Sequence, residues 1–134
     1  KIKIRTKLQE FKVLGDEESL ISLLVILLDN AVKYSFEGSE ISLKAIKNDG
    51  KGLIFVQDYG EGIRPEDKPH IFDRFYRADS ARSKSGADGY GLGLAIAKET
   101  AKKHHGKISV ESKLGEGSTF IIQLPIGKEG PRKV

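Results

Sequence analysis

From Leu20 to Tyr34 apolar residues recur at helical spacing, and the stretch ends in Asp29-Asn30-Ala31-Val32-Lys33-Tyr34. A helix of this kind needs a second layer to cover Leu20, Leu24, Leu27, Leu28 and Ala31, which share one face. At about 100° per residue, Asn30 falls on an adjoining face with Lys33 and Tyr34. That face offers a metal-capable amide, a phosphate-seeking cation and a ring able to stack on a base. The combination suits a magnesium–nucleotide site.

The second layer is legible in the rest of the chain. Residues 1–8 alternate Ile2, Ile4, Thr6 and Leu8 with Lys1, Lys3, Arg5 and Lys7, which predicts a half-buried strand with a basic outer face. Gly15-Asp16 marks a turn, and Asp16 or Ser19 can cap the helix that runs to about Tyr34 and stops near Gly38. Residues 40–47 read as a strand, Asn48-Asp49-Gly50-Lys51-Gly52 as a hairpin turn, and Leu53-Ile54-Phe55-Val56 as a buried strand that delivers Gln57-Asp58 to its carboxyl end.

Residues 59–91 are loop-rich, with a short helical piece expected around Pro69 to Tyr76. Asp79 to Gly91 reads as a mobile segment of a length usually reserved for function. A second helix is expected from Leu92 to about His105, burying Ile96, Ala97 and Ala101 and stopping at Gly106. Strands at 107–112 and 118–124 follow, joined through Leu114-Gly115-Glu116-Gly117, and Lys128 to Val134 reads as a frayed polar tail. Hairpin-linked strands with two long helices predict an α+β fold, a two-layer sandwich of a sheet packed on helices.

A chain of 134 residues fits one domain, here 1–126 with the tail at 127–134. Hydrophobic residues make up 38% and charged residues 31%, ordinary values for a soluble globule, and no apolar run is long enough to cross a bilayer. Without cysteine there is no disulfide and no thiolate metal site. His70, His104 and His105 lack spaced partners for a metal, and the dipole at a helix C-terminus accounts for the latter two. The net charge of +4 is modest, and no basic stripe interleaved with aromatics speaks for nucleic acid.

Four further strings carry possible chemistry. Asp58-Tyr59-Gly60-Glu61-Gly62 places a carboxylate, able to accept from an exocyclic amine, beside glycines that let backbone approach a flat ring, but a strand-ending turn alone explains the string. Gly89-Tyr90-Gly91-Leu92-Gly93-Leu94 opens a helix and can cradle an anion on its N–H groups, or serve as a plain hinge. In Ile71-Phe72-Asp73-Arg74-Phe75-Tyr76-Arg77, Phe72 and Phe75 read as a satellite cluster pinning the loop, while Arg77 can reach a terminal phosphate. Gly115-Glu116-Gly117-Ser118-Thr119-Phe120 reads as a tight corner, with contact to the glycine loop as the alternative.

The order and spacing of these five blocks resemble the ATP-binding catalytic domain of sensor histidine kinases, the Bergerat-fold branch shared more distantly with gyrase, Hsp90 and MutL. The blocks resemble its N box, first glycine box, F box, second glycine box and third glycine box, and the resemblance covers nearly the whole chain to Pro125. It implies ATP and Mg²⁺ as cofactors, with Asn30 as the metal ligand. It further implies Lys33 on phosphate, Tyr34 on the adenine or ribose side, and Asp58 accepting the adenine amino hydrogen bond. Gly60, Gly62 and Ile63 would shape that pocket. Arg77 would meet the terminal phosphate, Gly89, Gly91, Leu92, Gly93 and Leu94 would form the hinge and the phosphate-facing helix start, and residues 78–90 would be the lid. Gly115 and Gly117 would support the lid base, with Ser118 where the family more often has Thr.

Two departures qualify the resemblance. Many relatives carry a second Asn one turn before the metal ligand, and the hydrolytic cousins a water-activating Glu; here the residue is Ile26, which argues against efficient ATP hydrolysis. The phosphoaccepting His of the family sits in a helical-hairpin domain whose motif does not occur in this chain. The implied partners are therefore that hairpin domain and a response-regulator receiver, with the isolated domain monomeric, touching neither nucleic acid nor membrane. The implied location is cytoplasmic, on a parent that can itself be an inner-membrane sensor. The rival readings are a Bergerat-type ATPase and a degenerate or regulatory nucleotide-binding module.

Overall fold

The computed structural model describes residues 2–76 and 92–127. Five strands, β1 (Lys3–Leu8), β2 (Glu40–Asn48), β3 (Lys51–Asp58), β4 (Lys107–Lys113) and β5 (Gly117–Pro125), form one sheet in the order β1-β2-β3-β5-β4. Only β1–β2 is parallel, which makes the sheet mixed. Helices α1 (Glu17–Tyr34) and α2 (Gly93–Lys103) pack on one face of it.

Local chemistry sets the boundaries. Asp16 caps α1, its carboxylate accepting from the Ser19 N–H at 2.9 Å, and Glu17 and Glu18 follow at the positive end of the dipole. The β2–β3 hairpin turns on Asp49 (φ 57°) and Gly50 (φ 80°), the left-handed pair that a two-residue turn between twisted strands demands. At the end of α2 the left-handed residue is His105 (φ 62°), not the expected glycine; the Gly106 N–H closes on the Ala101 carbonyl at 2.8 Å. Gly106 is needed for another reason, because a Cβ there would run into the Gln123 carbonyl oxygen of β5.

The core lies between the layers. Leu23, Leu27 and Ala31 of α1 and Ala97 and Ala101 of α2 meet Ile41, Val56, Phe120 and Ile122 of the sheet. Leu23, absent from the expected set, is fully buried, whereas Leu20, Leu24 and Leu28 flank it half-buried. Ile96, expected inside, stands 48% exposed. Ala97 and Ala101 point at the sheet from one side of α2, and Ile96, one residue and about 100° away, does not.

Three other expectations change. Strand β1 is exposed along its whole length, because it is an edge strand beyond the reach of the helices; of its alternating apolar set only Ile2, just before it, packs on the core. The run Leu53–Val56 is buried on one side only, since Leu53 and Phe55 face away from the helices. The helical piece after residue 59 is a single 3-10 turn, Lys68–His70, and not a helix over Pro69 to Tyr76. The tail at 128–134 and all of Asp79 to Gly91 lie outside the described residues. Among the described residues no helix is long and apolar enough to cross a membrane.

Candidate functional site

The N-box block and the first and third glycine blocks converge at one end of the sandwich. Strand β3 carries Asp58 to its carboxyl end, where the residue is 3% exposed and pairs in register with Ser118 of β5. Its Oδ1 accepts from the Gly60 N–H at 3.0 Å, and the Ser118 backbone N–H also donates to the carboxylate. Burial raises the Asp58 pKa above the usual carboxylate value, and the two backbone donors only partly offset that.

Glycines close this end by letting backbones touch. A Cβ on Gly60 would strike the Tyr34 carbonyl oxygen at the end of α1; one on Gly62 (φ 82°) would strike the Lys113 carbonyl; one on Gly117 (φ 113°) would strike the Asp58 carbonyl. The third glycine block is the tight corner expected of it, and it seats against the Asp58–Gly62 turn, with the Gly115 N–H donating to the Glu61 carbonyl at 2.6 Å; Gly89 to Gly91 of the other glycine loop lie outside the described residues.

Ser112 completes the assembly, although nothing in its sequence context marks it. Its hydroxyl accepts from the Ile63 N–H at 2.7 Å, donates to the Gly117 carbonyl at 2.9 Å and lies 3.1 Å from the Ser118 hydroxyl. A serine in an alternating strand carries no signal of this role; only the antiparallel register, which sets Ser112 opposite Ser118, reveals it.

The helix side is built more openly. Asn30 is half-buried near the C-terminus of α1, and Lys33 reaches Asp29 at 3.9 Å across one helical turn. Tyr34, half-buried, ends the helix beside Gly60. Ile26, one turn before Asn30, packs against the core, and Gly93 at the start of α2 lies where a Cβ would come within 3.4 Å of its Cγ2. The N-terminus of α2, with Leu92, Gly93 and half-buried Leu94, therefore approaches α1 near Asn30. Arg77, Gly89 and Gly91 lie outside the described residues.

The F-box block divides. Ile71 is buried and Phe72 packs edge-on against Phe120 at 6.1 Å, as a pinning cluster requires. Phe75 does not join them: it is 67% exposed on a left-handed backbone, φ 67°. Tyr76 turns inward instead, its phenol donating to buried Asp67, which raises the Tyr76 pKa. Arg64 sits 3.8 Å from the other Asp67 oxygen. Among the described residues there is no cluster of three or more His, Cys, Asp or Glu that could hold a metal alone.

Comparison with known proteins agrees with this architecture. Residues 15–128 match the family described as histidine kinase-, DNA gyrase B-, and HSP90-like ATPase. Sensor protein SrrB of Staphylococcus aureus is 43% identical over 110 residues, 82% of this chain and 19% of that protein, so the chain spans about a fifth of the curated relatives it matches. The mycobacterial sensor histidine kinase MprB superposes with a TM-score of 0.82 at 30% identity, covering 93% of this chain and 82% of that one. Full-length ShkA, solved in complex with AMPPNP, superposes at 0.81 with 29% identity over 97% of this chain and 27% of that one. The catalytic domain of histidine kinase ThkA gives 0.75 at 26% identity over 92% and 77%. The chain belongs to the histidine kinase-, DNA gyrase B- and HSP90-like ATPase family.

Proposed function

We propose that this chain is the ATP-binding catalytic domain of a sensor histidine kinase, residues 1–126, which passes the γ-phosphoryl group of ATP to a histidine on a separate helical-hairpin domain. The observation that carries the reading is the seating of Gly60 against Tyr34, which sets a buried carboxylate, Asp58, beside the end of the helix that bears Asn30 and Lys33. Asp58 has the position and the acceptor atoms to take the amino hydrogen bond of adenine. Gly60 and Gly62 let the Tyr34 and Lys113 backbones close in beside it, and Ile63, Tyr34 and Ser118 would border the flat ring.

Phosphoryl transfer needs positioning and charge neutralisation more than covalent chemistry from the protein. Mg²⁺, when bound with the nucleotide, would supply part of that neutralisation, and Asn30 would hold it. The donor set fits this mode of binding, since one amide oxygen from Asn30 suffices for an ion that takes its other ligands from phosphates and water. Lys33 is placed to exchange its pairing with Asp29 for phosphate, and Arg77, Gly89, Gly91, Leu92, Gly93 and Leu94 are assigned to the phosphate side by the family pattern. Apolar Ile26, held against the core, can neither take a proton from water nor bind metal, which favours transfer over hydrolysis. The remaining partner would be a response-regulator receiver, and the location cytoplasmic.

Calorimetric titration with a non-hydrolysable ATP analogue, with and without Mg²⁺, tests the reading. It expects binding strengthened by Mg²⁺, and an Asn30→Ala variant that still binds the base yet fails to phosphorylate the hairpin domain supplied in trans. Normal transfer by that variant would remove Asn30 from its role, and appreciable ATP turnover by the chain alone would move the assignment to an ATPase.

A further inference from the structure

The helices cover one face of the sheet and leave the other open. Alternation along each strand and the register between strands determine what the open face presents. Strand β1 contributes Lys3, Arg5 and Lys7, and β2 and β3 add Lys44 and Lys51. Lys107 and Lys113 stand on β4, and among the described residues the only carboxylates on this face of the strands are Glu40 and Glu111. Seven cations against two carboxylates exceed the +4 of the whole chain, so the remainder of the molecule is close to neutral.

At the centre of these charges lies an apolar floor. Ile46 pairs with Leu53, and Phe55 with Ile121, all half-buried although no second layer of described residues covers them. The Lys44 ammonium stands 5.5 Å from the Phe55 ring centroid, which places cation and floor on the same side.

We propose that this face docks a separate protein whose contacting surface is acidic around an apolar centre. An interface of that kind has an apolar core and a charged rim that steers the encounter. The same charge argues against a second copy of this chain, because two such faces repel. The floor lies below its lysines and offers no projecting apolar group to insert in a bilayer, and with Phe55 as the only aromatic that the described strands turn to this face it lacks the stacking platform of a single-strand binder. The proposal stands apart from the nucleotide reading and survives its failure.

The test is NMR titration of the 134-residue chain with a synthetic peptide of glutamates flanking a Phe-Leu pair. Phosphatidylserine-containing vesicles and duplex DNA serve as parallel probes. The expected result is peptide-induced shifts at Lys44, Phe55, Ser109 and Ile121 but not at Asn30 or Leu27. The double reversal Lys44→Glu with Lys107→Glu should weaken peptide binding about tenfold or more, while Lys102→Glu with Lys103→Glu on α2, an equal change in net charge, changes it less than about twofold. Equal weakening by both pairs, shifts away from the open face, or binding of vesicles or DNA without the peptide would each overturn the proposal.

Discussion

Asp58 and Asn30 are both assigned to the proposed nucleotide site, yet the fold holds them in different ways. Asp58 is 3% exposed, takes two backbone hydrogen bonds, and is walled by Gly60 and Gly117 at distances no side chain could share. Asn30 stands half-buried on a helix surface, and its neighbour Lys33 pairs with an exposed aspartate at 3.9 Å. The end proposed for the base is thus pre-organised by packing, whereas the end proposed for the phosphates offers an amide and an ammonium on a helix surface, whose geometry a bound nucleotide would have to complete. Substitutions at the base end should therefore cost stability and affinity together where they disturb that packing, and those at the phosphate end should spare stability.

The largest effect is expected at Gly117. Its φ of 113° and its contact with the Asp58 carbonyl make Gly117→Val doubly unfavourable, with a loss of about 3 kcal/mol or more in urea unfolding and no measurable nucleotide binding. Gly115 shares the left-handed backbone (φ 86°) but faces open space, so Gly115→Ala should cost only about 1 kcal/mol. Equal costs would mean that backbone strain, not the close approach, governs this corner.

Next in size is Asp58→Asn. Replacing the carboxylate should lower affinity for the ATP analogue by about 10- to 100-fold, in line with mispairing one buried polar group. Its stability effect runs the other way. Burial raises the folded pKa of Asp58, so the native state holds its proton more tightly than the unfolded chain. Ionised Asp58 thus opposes folding above its folded pKa, and that penalty fades as pH falls through the raised pKa toward the ordinary one. A neutral amide at this position removes the penalty throughout, so the Asp58→Asn variant should unfold no more easily than wild type at neutral pH. Analogue affinity of the wild type should weaken over the same acid window. A variant that binds normally, or that unfolds much earlier, would contradict the division between binding and packing at this residue.

What can be read from sequence follows the same division. Periodicity locates α1, the hairpin at Asp49-Gly50 and the strand that ends in Asp58, because each rests on neighbours in sequence. It does not tell which residue of an apolar stripe points at the sheet, so Leu23 escapes it and Ile96 is misplaced. Nor can alternation reveal that β1 lies outside the span of the helices, or that Phe75 turns outward while Tyr76 reaches Asp67. Ser112 and His104 work through partners brought by register or by the packing of α1 on α2, contacts that no local pattern announces.

His104 tests whether the base end is special or whether any well-made contact behaves alike. At the opposite end of the helices its Nδ1–H donates to the Thr100 carbonyl at 2.8 Å, its Nε2 accepts from the Asp16 N–H at 3.0 Å, and Gly15 leaves room for the ring. His104→Ala should cost about 1–2 kcal/mol in thermal or urea unfolding, the loss of two hydrogen bonds with one backbone N–H left to water. Analogue affinity, measured well below the unfolding transition, should be unchanged. A parallel fall in affinity would show that the two ends are coupled through α1.

The smallest expected stability effect is at Asn30. Asn30→Ala removes an amide from a half-buried helical position and replaces it with the best helix former, so unfolding should shift by no more than about 0.5 kcal/mol, in either direction. Binding of the Mg²⁺-free analogue should hardly change, because Asp58 and the glycine walls remain as they were. The gain in affinity that Mg²⁺ brings to the wild type should disappear. A substantial loss of stability would mean that the phosphate end is as pre-built as the base end. An intact Mg²⁺ response would mean that the helix surface at Asn30 is not where the metal-bearing end of the nucleotide rests.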